Sequence, residues 1–172
     1  MFTIMLFLLM NTQTSAFSSP LEIVRIQKNN EQIHAITTFI AQRMNDECFR
    51  ITRTLRSEDS LTFTRTFTMM KSKINAGYST KFIEKELQKQ GVGSFNHDYQ
   101  CLFIGIIFQR LILRGKIEEL VLYFDMKSSL TNVYVLTTDN LKITLNEEQS
   151  KWLRIQRSEL EDEGLLLPLS IR

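Results

Sequence analysis

Apolar residues near the beginning of the chain recur at helical spacing. They are separated by three, four or seven positions, which places them on one face of a helix: Ile23, Ile26, Ile33, Ile36, Ile40 and Met44. Ser19 and Glu22 have the spacing of a capping box, and Pro20 suits the first helical position. The sequence therefore predicts a helix that begins near Pro20 and packs its apolar face against a core.

Residues 48–69 change to a period of two. Apolar residues alternate with Thr and Arg on both sides of a polar segment at 57–60. Because Thr and Phe favour strands, this pattern predicts a β-hairpin. A helical alternative remains open, since the apolar residues from Phe63 to Ile74 also recur at helical spacing.

The second half of the chain carries several local signals of secondary structure. Two helices, at 79–90 and 96–114, are bounded by capping residues and glycines, and the second is apolar on nearly all sides. Alternating segments over 117–145 predict a meander of strands. Asn146 and Gln149 form a capping-box pattern ahead of a last, polar helix.

This order of elements favours an α+β fold. An antiparallel sheet, formed by the hairpin at 48–69 and the meander at 117–145, is expected to pack on helices. No linker rich in Pro, Gly or Ser divides the chain, and its length of 172 residues suits one hydrophobic core. We therefore expect a single α+β domain at 17–172.

Residues 1–16 are uncharged and have the outline of a signal peptide. An apolar run from Ile4 to Met10 precedes polar residues, and Thr14 and Ala16 fit the small positions of a cleavage site. The run is too short to span a membrane. We expect cleavage after Ala16, which would yield a periplasmic or secreted protein without a transmembrane span.

The two cysteines of the chain are Cys48 and Cys101. In an oxidising compartment they are candidates for one disulfide, and the alternative is a pair of buried thiols. His97 precedes Cys101 by one helical turn, a spacing that would suit a thiolate nucleophile or part of a metal site. Burial of Cys101 would argue against such a nucleophile.

Two further features concern binding. Arg53 and Arg65 fall on the otherwise apolar face of the predicted hairpin, where each would need a carboxylate partner, an anionic ligand or a route to water. Segment 79–91 has the character of a helix-turn-helix motif, with three lysines at helical spacing. The same spacing is typical of the solvated face of an amphipathic helix.

The function classes can be narrowed from charge and motifs. A net charge of +2 gives little reason to expect binding to nucleic acid. No serine-hydrolase, P-loop, dinucleotide-binding or zinc-protease motif occurs, and we predict no catalytic residue, cofactor or metal. The sequence favours an exported, non-enzymatic protein-binding or accessory module of the cell envelope. The alternatives are a cytoplasmic DNA-binding regulator that uses 79–91, and a cysteine-dependent enzyme that uses Cys101 and His97.

Overall fold

The computed structural model describes residues 21–28, 31–90 and 96–168. These residues form an α+β fold, as the sequence predicts. The elements in chain order are β1 (Glu22–Gln27), α1 (Glu31–Glu58), α2 (Ser60–Asn75), α3 (Thr80–Lys89), α4 (His97–Leu113), β2 (Ile117–Phe124), β3 (Leu130–Thr137), β4 (Lys142–Leu145), α5 (Glu147–Lys151) and α6 (Arg157–Asp162). The predicted signal segment at 1–16 lies outside the described residues.

The sheet is antiparallel throughout, with the strands in the order β1-β2-β3-β4. The predicted meander at 117–145 is confirmed as β2, β3 and β4. Alternate residues face the core, which is clearest in β3 and β4, where Val133, Val135, Ile143 and Leu145 are buried. The polar side chains between them face away, so one face of the sheet packs on helices.

Helix α4 lies in the centre of the domain. Nine of its residues are buried, and Leu102 and Phe108 are almost completely so. It packs against the long helix α1, whose buried residues include Ile36, Ile40 and Met44 of the predicted apolar stripe. Among the described residues, no helix has the length and apolarity needed to cross a membrane.

The predicted hairpin at 48–69 is wrong, because this segment is helical. It contains the second half of α1 and the first part of α2, and Asp59 caps α2 by accepting a hydrogen bond from the Thr62 amide. Three of the threonines that suggested strands, Thr52, Thr54 and Thr64, donate to backbone carbonyls one turn earlier in the helices. Thr52 Oγ1 donates to the Cys48 carbonyl at 2.6 Å, a bond that fits Thr into a helix despite its β-branched side chain.

The predicted N-terminal helix near Pro20 is also wrong over its first part. Glu22–Gln27 is a strand that pairs with β2, and only Ile26 in it is buried. The helical stripe begins at Ile33. A strand with one half-covered face needs few apolar residues, so the spacing of Ile23 and Ile26 was compatible with either structure.

The C-terminal helix forms in two pieces. The capping box of Asn146 and Gln149 is confirmed, but α5 ends at Lys151. Helix α6 follows and ends before Gly164, as the sequence predicts. Arg157, the first residue of α6, is buried, with 5% of its surface exposed. Its guanidinium forms ion pairs with Glu22 and Glu161 and lies 5.6 Å from the centroid of the Phe124 ring.

Candidate functional site

A groove lies between α3 and β4, with α4 as its floor. It consists of two adjacent cavities of about 160 Å³ and 290 Å³ that share Thr80 and Ile107. We call this feature the α3–β4 groove, the first cavity its cationic end and the second its amide end. Ligand sites are commonly concave and apolar with a few polar groups, so this shape makes the groove the first candidate for a binding site.

The cationic end combines an apolar wall with basic residues. Its apolar lining comes from α2, α3, α4 and the segment before β4: Ile74, Ile83, Ile107, Leu111 and Leu141. Its basic residues are Arg110, Arg114 and Lys116, and its acidic residue is Asp139. Lys116 Nζ lies 2.8 Å from Asp139 Oδ2, so these two charges compensate each other.

Two charges at the cationic end remain uncompensated. Among the described residues, neither Arg110 nor Arg114 forms an ion pair with a carboxylate. Arg110 donates to the Asn75 carbonyl at 3.2 Å. Desolvation and the charge of Arg114 lower the pKa of Arg110 from its usual value. The Arg110 guanidinium remains charged, and an anion bound beside it would offset its repulsion by Arg114.

The end of α4 determines where Lys116 lies. Gly115 has a φ of 60°, a conformation that costs a residue with a Cβ atom about 1–2 kcal/mol. The Gly115 amide donates to the Ile112 carbonyl at 3.1 Å and the Lys116 amide donates to the Leu111 carbonyl at 3.2 Å. This pair of bonds is a Schellman motif. It turns the chain sharply and places Lys116 beside Arg110 and Arg114.

Tyr78, which lines the same cavity, belongs to an exposed aromatic pair. Tyr78 and Phe82 stack at 4.7 Å between ring centroids and are 46% and 39% exposed. Lys73 Nζ lies 4.5 Å from the Tyr78 ring and 5.8 Å from the Phe82 ring. Exposed aromatic side chains next to arginines are the composition that protein interfaces favour.

The amide end has a different character. Gln149 Nε2 donates to Gln100 Oε1 at 3.1 Å, which joins α5 to α4 beneath β4. Glu84 of α3 and Lys142 of β4 complete the polar border. The groove therefore has one cationic end with an apolar wall and one end that offers hydrogen-bonding groups.

No protein-family model, curated protein or solved structure matches this chain. A functional assignment therefore depends on the chemistry of the residues themselves.

The two cysteines are free thiols, so the predicted disulfide between Cys48 and Cys101 is wrong. Cys48 Sγ points to the Cys101 carbonyl oxygen at 3.7 Å rather than forming a bond with the Cys101 sulfur. Burial raises the pKa of Cys48 to about 12 and also raises the pKa of Cys101. Both groups are thus neutral thiols at physiological pH.

The spacing of His97 and Cys101 does bring their side chains together. Cys101 Sγ lies 3.5 Å from His97 Nε2. The Cys101 side chain is nevertheless completely buried, and its raised pKa opposes formation of a thiolate. No cluster of three metal-ligating side chains exists in the part of the chain that the structure describes. This geometry does not favour a nucleophile at Cys101.

Arg53 and Arg65 lie apart from the groove, on helices rather than on a hairpin. Both are exposed, Arg53 on α1 and Arg65 on α2. Arg53 shares a shallow surface of α1 with Phe49, Arg50 and Arg56. Because α1 is helical, these side chains reach water directly and need no carboxylate partner.

Segment 79–91 is helical over Thr80–Lys89, and Ser79 caps it by accepting a hydrogen bond from the Phe82 amide. Lys81, Lys85 and Lys89 are exposed on it, and Lys89 forms an ion pair with Glu86. The opposite face, with Ile83 and Leu87, is buried. The helix and its amphipathic character are confirmed, and its binding to DNA stays a prediction.

Sequence reasoning missed the residues of the cationic end. Arg110 and Arg114 are one helical turn apart at the end of an apolar helix, a signal that the sequence does contain. Their approach to Tyr78 depends on how the turn after α2 packs beside the end of α4. No local pattern predicts that contact.

Proposed function

We propose that the protein is a non-enzymatic protein-binding module and that the α3–β4 groove is its binding site. The observation that carries this proposal is the apolar cationic end, where Arg110 and Arg114 have no carboxylate partner among the described residues. A partner with an apolar side chain beside a carboxylate complements both properties. Burial of the apolar group supplies affinity, and charge complementarity supplies specificity.

A site-specific crosslink in the producing cells tests this proposal. A photoreactive phenylalanine analogue at Phe82, whose ring stacks on the groove-lining Tyr78, should crosslink one defined partner. The same analogue at Phe49, which is 66% exposed on α1, is the matched control and should not. Equal crosslinking from both positions would contradict a binding site in the groove.

Charge variants sharpen the same experiment. The double variant Arg110→Gln/Arg114→Gln removes the uncompensated charges and should abolish the crosslink from position 82. The double variant Arg53→Gln/Arg56→Gln removes the same formal charge from α1, and it should leave the crosslink intact. A crosslink that is insensitive to the first variant, or equally sensitive to both, would refute a role for the cationic end.

We also propose that the protein is exported and works in the cell envelope. The support is the uncharged, signal-like segment at 1–16 with small residues at Thr14 and Ala16. The intact mass of protein purified from its producing cells tests this directly. We expect the mass of a chain that begins at Phe17. A chain that retains 1–16 would place the protein in the compartment where it is made.

A cytoplasmic DNA-binding regulator is the second candidate function. The supporting observation is the row of exposed lysines on α3, namely Lys81, Lys85 and Lys89. Such a protein would bind duplex DNA with an affinity that falls steeply as salt rises. Salt-dependent binding that Lys81→Gln/Lys85→Gln abolishes, together with retention of 1–16, would favour this candidate over export.

A further inference from the structure

Strand β4 lies at an edge of the sheet and also forms one wall of the α3–β4 groove. Within the described residues it pairs with β3 and with no other strand. Lys142, Ile143 and Thr144 line the amide end of the groove, and Leu141, just before β4, lines the cationic end. The groove therefore follows the unpaired side of a strand, where backbone groups can accept another chain.

The register identifies which backbone groups are unpaired. The Thr137 amide donates to the Leu141 carbonyl, so these two residues face each other as a hydrogen-bonded pair. Hydrogen-bonded and non-bonded pairs alternate in an antiparallel ladder. Ile143 and Leu145, opposite Val135 and Val133, are then the bonded residues of β4. It follows that the N–H and C=O groups of Lys142 and Thr144 point away from β3.

We propose that the partner binds as an extended segment that adds to β4 as a fifth strand and places a carboxylate at the cationic end. This inference rests on the proposed function and specifies the form of the partner. The unpaired groups of Lys142 and Thr144 offer two donors and two acceptors to the added strand. Alternate side chains of that strand face the same way, so a residue two positions from the carboxylate faces the same side of the groove.

Charge determines how the segment is placed along β4. Arg110 and Arg114 lie at the end of the groove where β4 begins, whereas the amide end carries one charge of each sign, Glu84 and Lys142. A carboxylate is therefore attracted more strongly to the cationic end than to the amide end. Antiparallel addition, the commoner form of strand pairing, places the C-terminal part of the bound segment at the cationic end.

Selection from a library of random dodecapeptides with amidated C-termini tests the inference on the full chain. Enriched peptides should contain alternating apolar residues followed by Asp or Glu. A parallel selection with free C-termini distinguishes a side-chain carboxylate from a terminal one, and either source supports the inference. Enrichment of basic peptides, or of none, would overturn it.

The variant Thr144→Pro separates strand addition from side-chain recognition. Thr144 is exposed, and proline removes its outward N–H without removing a bond to β3. The affinity for an enriched peptide should fall about tenfold or more. Thr144→Val retains the N–H group, so its affinity for the same peptide should fall much less than that of Thr144→Pro. Equal affinity of the proline variant, with circular dichroism confirming its fold, would overturn strand addition.

N-methylated peptides keep the test valid if Thr144→Pro does not fold. Methyl groups on alternate peptide nitrogens, those that face β4, should abolish binding, whereas methyl groups on the intervening nitrogens should be tolerated. Tolerance at every position would refute the added strand.

The two proposals fail in different ways. If binding requires Arg110 and Arg114 but is unaffected by Thr144→Pro, the proposed binding site is supported and strand addition is refuted. A β4-to-β4 dimer, detected by light scattering, would show that a second copy of the chain occupies the edge, and it would overturn the inference of an acidic partner segment.

Discussion

The Cys48 sulfur lies 2.5 Å from the position that a Cβ atom on Gly105 would occupy. Helices α1 and α4 pack together at this point, and the Cys48 side chain fills the space that the missing methyl group leaves. Alanine is a better helix former than glycine by about 1 kcal/mol, whereas overpacking in a core costs about 1–3 kcal/mol. We expect Gly105→Ala to destabilise the protein, as measured by urea unfolding.

The same contact predicts that removing the Cys48 sulfur reverses the effect of Gly105→Ala on stability. In a Cys48→Ala background the sulfur is absent, and the Cβ atom of residue 48 lies 3.9 Å from the added methyl group, an ordinary contact distance. Gly105→Ala should then stabilise the chain by about 1 kcal/mol through helix propensity. A Gly105→Ala effect of the same sign in both backgrounds would show that the sulfur does not limit the approach of α1 and α4.

The parts of the fold that the sequence predicted correctly have local signals. Asn146 and Gln149 form their capping box, and the glycines after α4 and α6 end those helices. The meander at 117–145 combines β-branched residues with turns. Each of these features is encoded within a few neighbouring positions, so no knowledge of distant contacts was needed.

The wrong secondary-structure predictions fall on segments where the local preference for a strand and the tertiary packing of a helix disagree. Phe49 and Ile51 would share one face of a strand, but in α1 the first is exposed and the second is buried. Thr66 is buried inside α2 although Thr favours strands. Core packing determines the structure of these segments. In α2, burial of Phe63, Met70 and Ile74 on one face of a helix outweighs the preference of the neighbouring threonines for a strand.

The candidate site was less predictable than the fold for a related reason. Arg53 and Arg65 were selected because a hairpin would have placed them on an apolar face, and a helix places them in water. Arg110 and Arg114 became important only because the turn before α3 brings Tyr78 to them. A site assembled from α2, α3, α4 and the loop before β4 leaves no continuous motif in the sequence.

Arg157 provides a second test of stability. Its buried guanidinium forms ion pairs with Glu22 of β1 and Glu161 of α6, so it ties the edge strand to the last helix. Arg157→Met leaves both carboxylates without their partner. Removing one member of a buried ion pair costs about 3–5 kcal/mol. Since both carboxylates keep some contact with water, we expect a loss near the lower end of this range in urea unfolding.

Lys151 is the matched control for Arg157. Its ammonium lies 3.7 Å from Glu147, and both side chains are 70% exposed. Exposed pairs of this kind contribute about 0–1 kcal/mol, so Lys151→Met should change the unfolding free energy only slightly. Comparable effects of Arg157→Met and Lys151→Met would contradict a structural role for the buried guanidinium.

The buried thiols predict a loss of stability in alkali. Burial raises the pKa of Cys48 from its ordinary value of 9.0 to about 12. Below pH 9 the Cys48 thiol is protonated in both the folded and the unfolded chain, so its ionisation does not lower the unfolding free energy. As the pH rises from 9 to about 12, the unfolded chain releases a proton that the native chain retains. Each such thiol then lowers the unfolding free energy by about 1.4 kcal/mol per pH unit.

Cys48→Ala isolates this contribution. Lysines and tyrosines titrate in both proteins, so their effects cancel when the two unfolding free energies are compared across the same pH series. The wild-type chain should lose stability more steeply above pH 9 by about 1.4 kcal/mol per unit. Parallel curves would mean that the Cys48 thiol is not protected from ionisation in the native state.

Gly115 links the stability of α4 to the cationic end of the groove. Within the described residues, no atom beyond the two chain neighbours lies within 4 Å of a Cβ atom built on Gly115, so the cost of Gly115→Ala comes from its positive φ and not from a steric contact. We expect a loss of about 1–2 kcal/mol in thermal unfolding. Gly115→Asn should cost less, because Asn adopts this conformation more readily.

These two variants also probe the groove, because the Schellman motif at Gly115 holds Lys116 beside Asp139 at 2.8 Å. If Ala at position 115 relaxes the turn, Lys116 and Asp139 separate and the border of the cavity changes. Affinity for a groove-binding peptide should then fall for Gly115→Ala and be largely retained for Gly115→Asn. Equal affinity of both variants, despite different stability, would mean that the turn after α4 supports the fold without shaping the site.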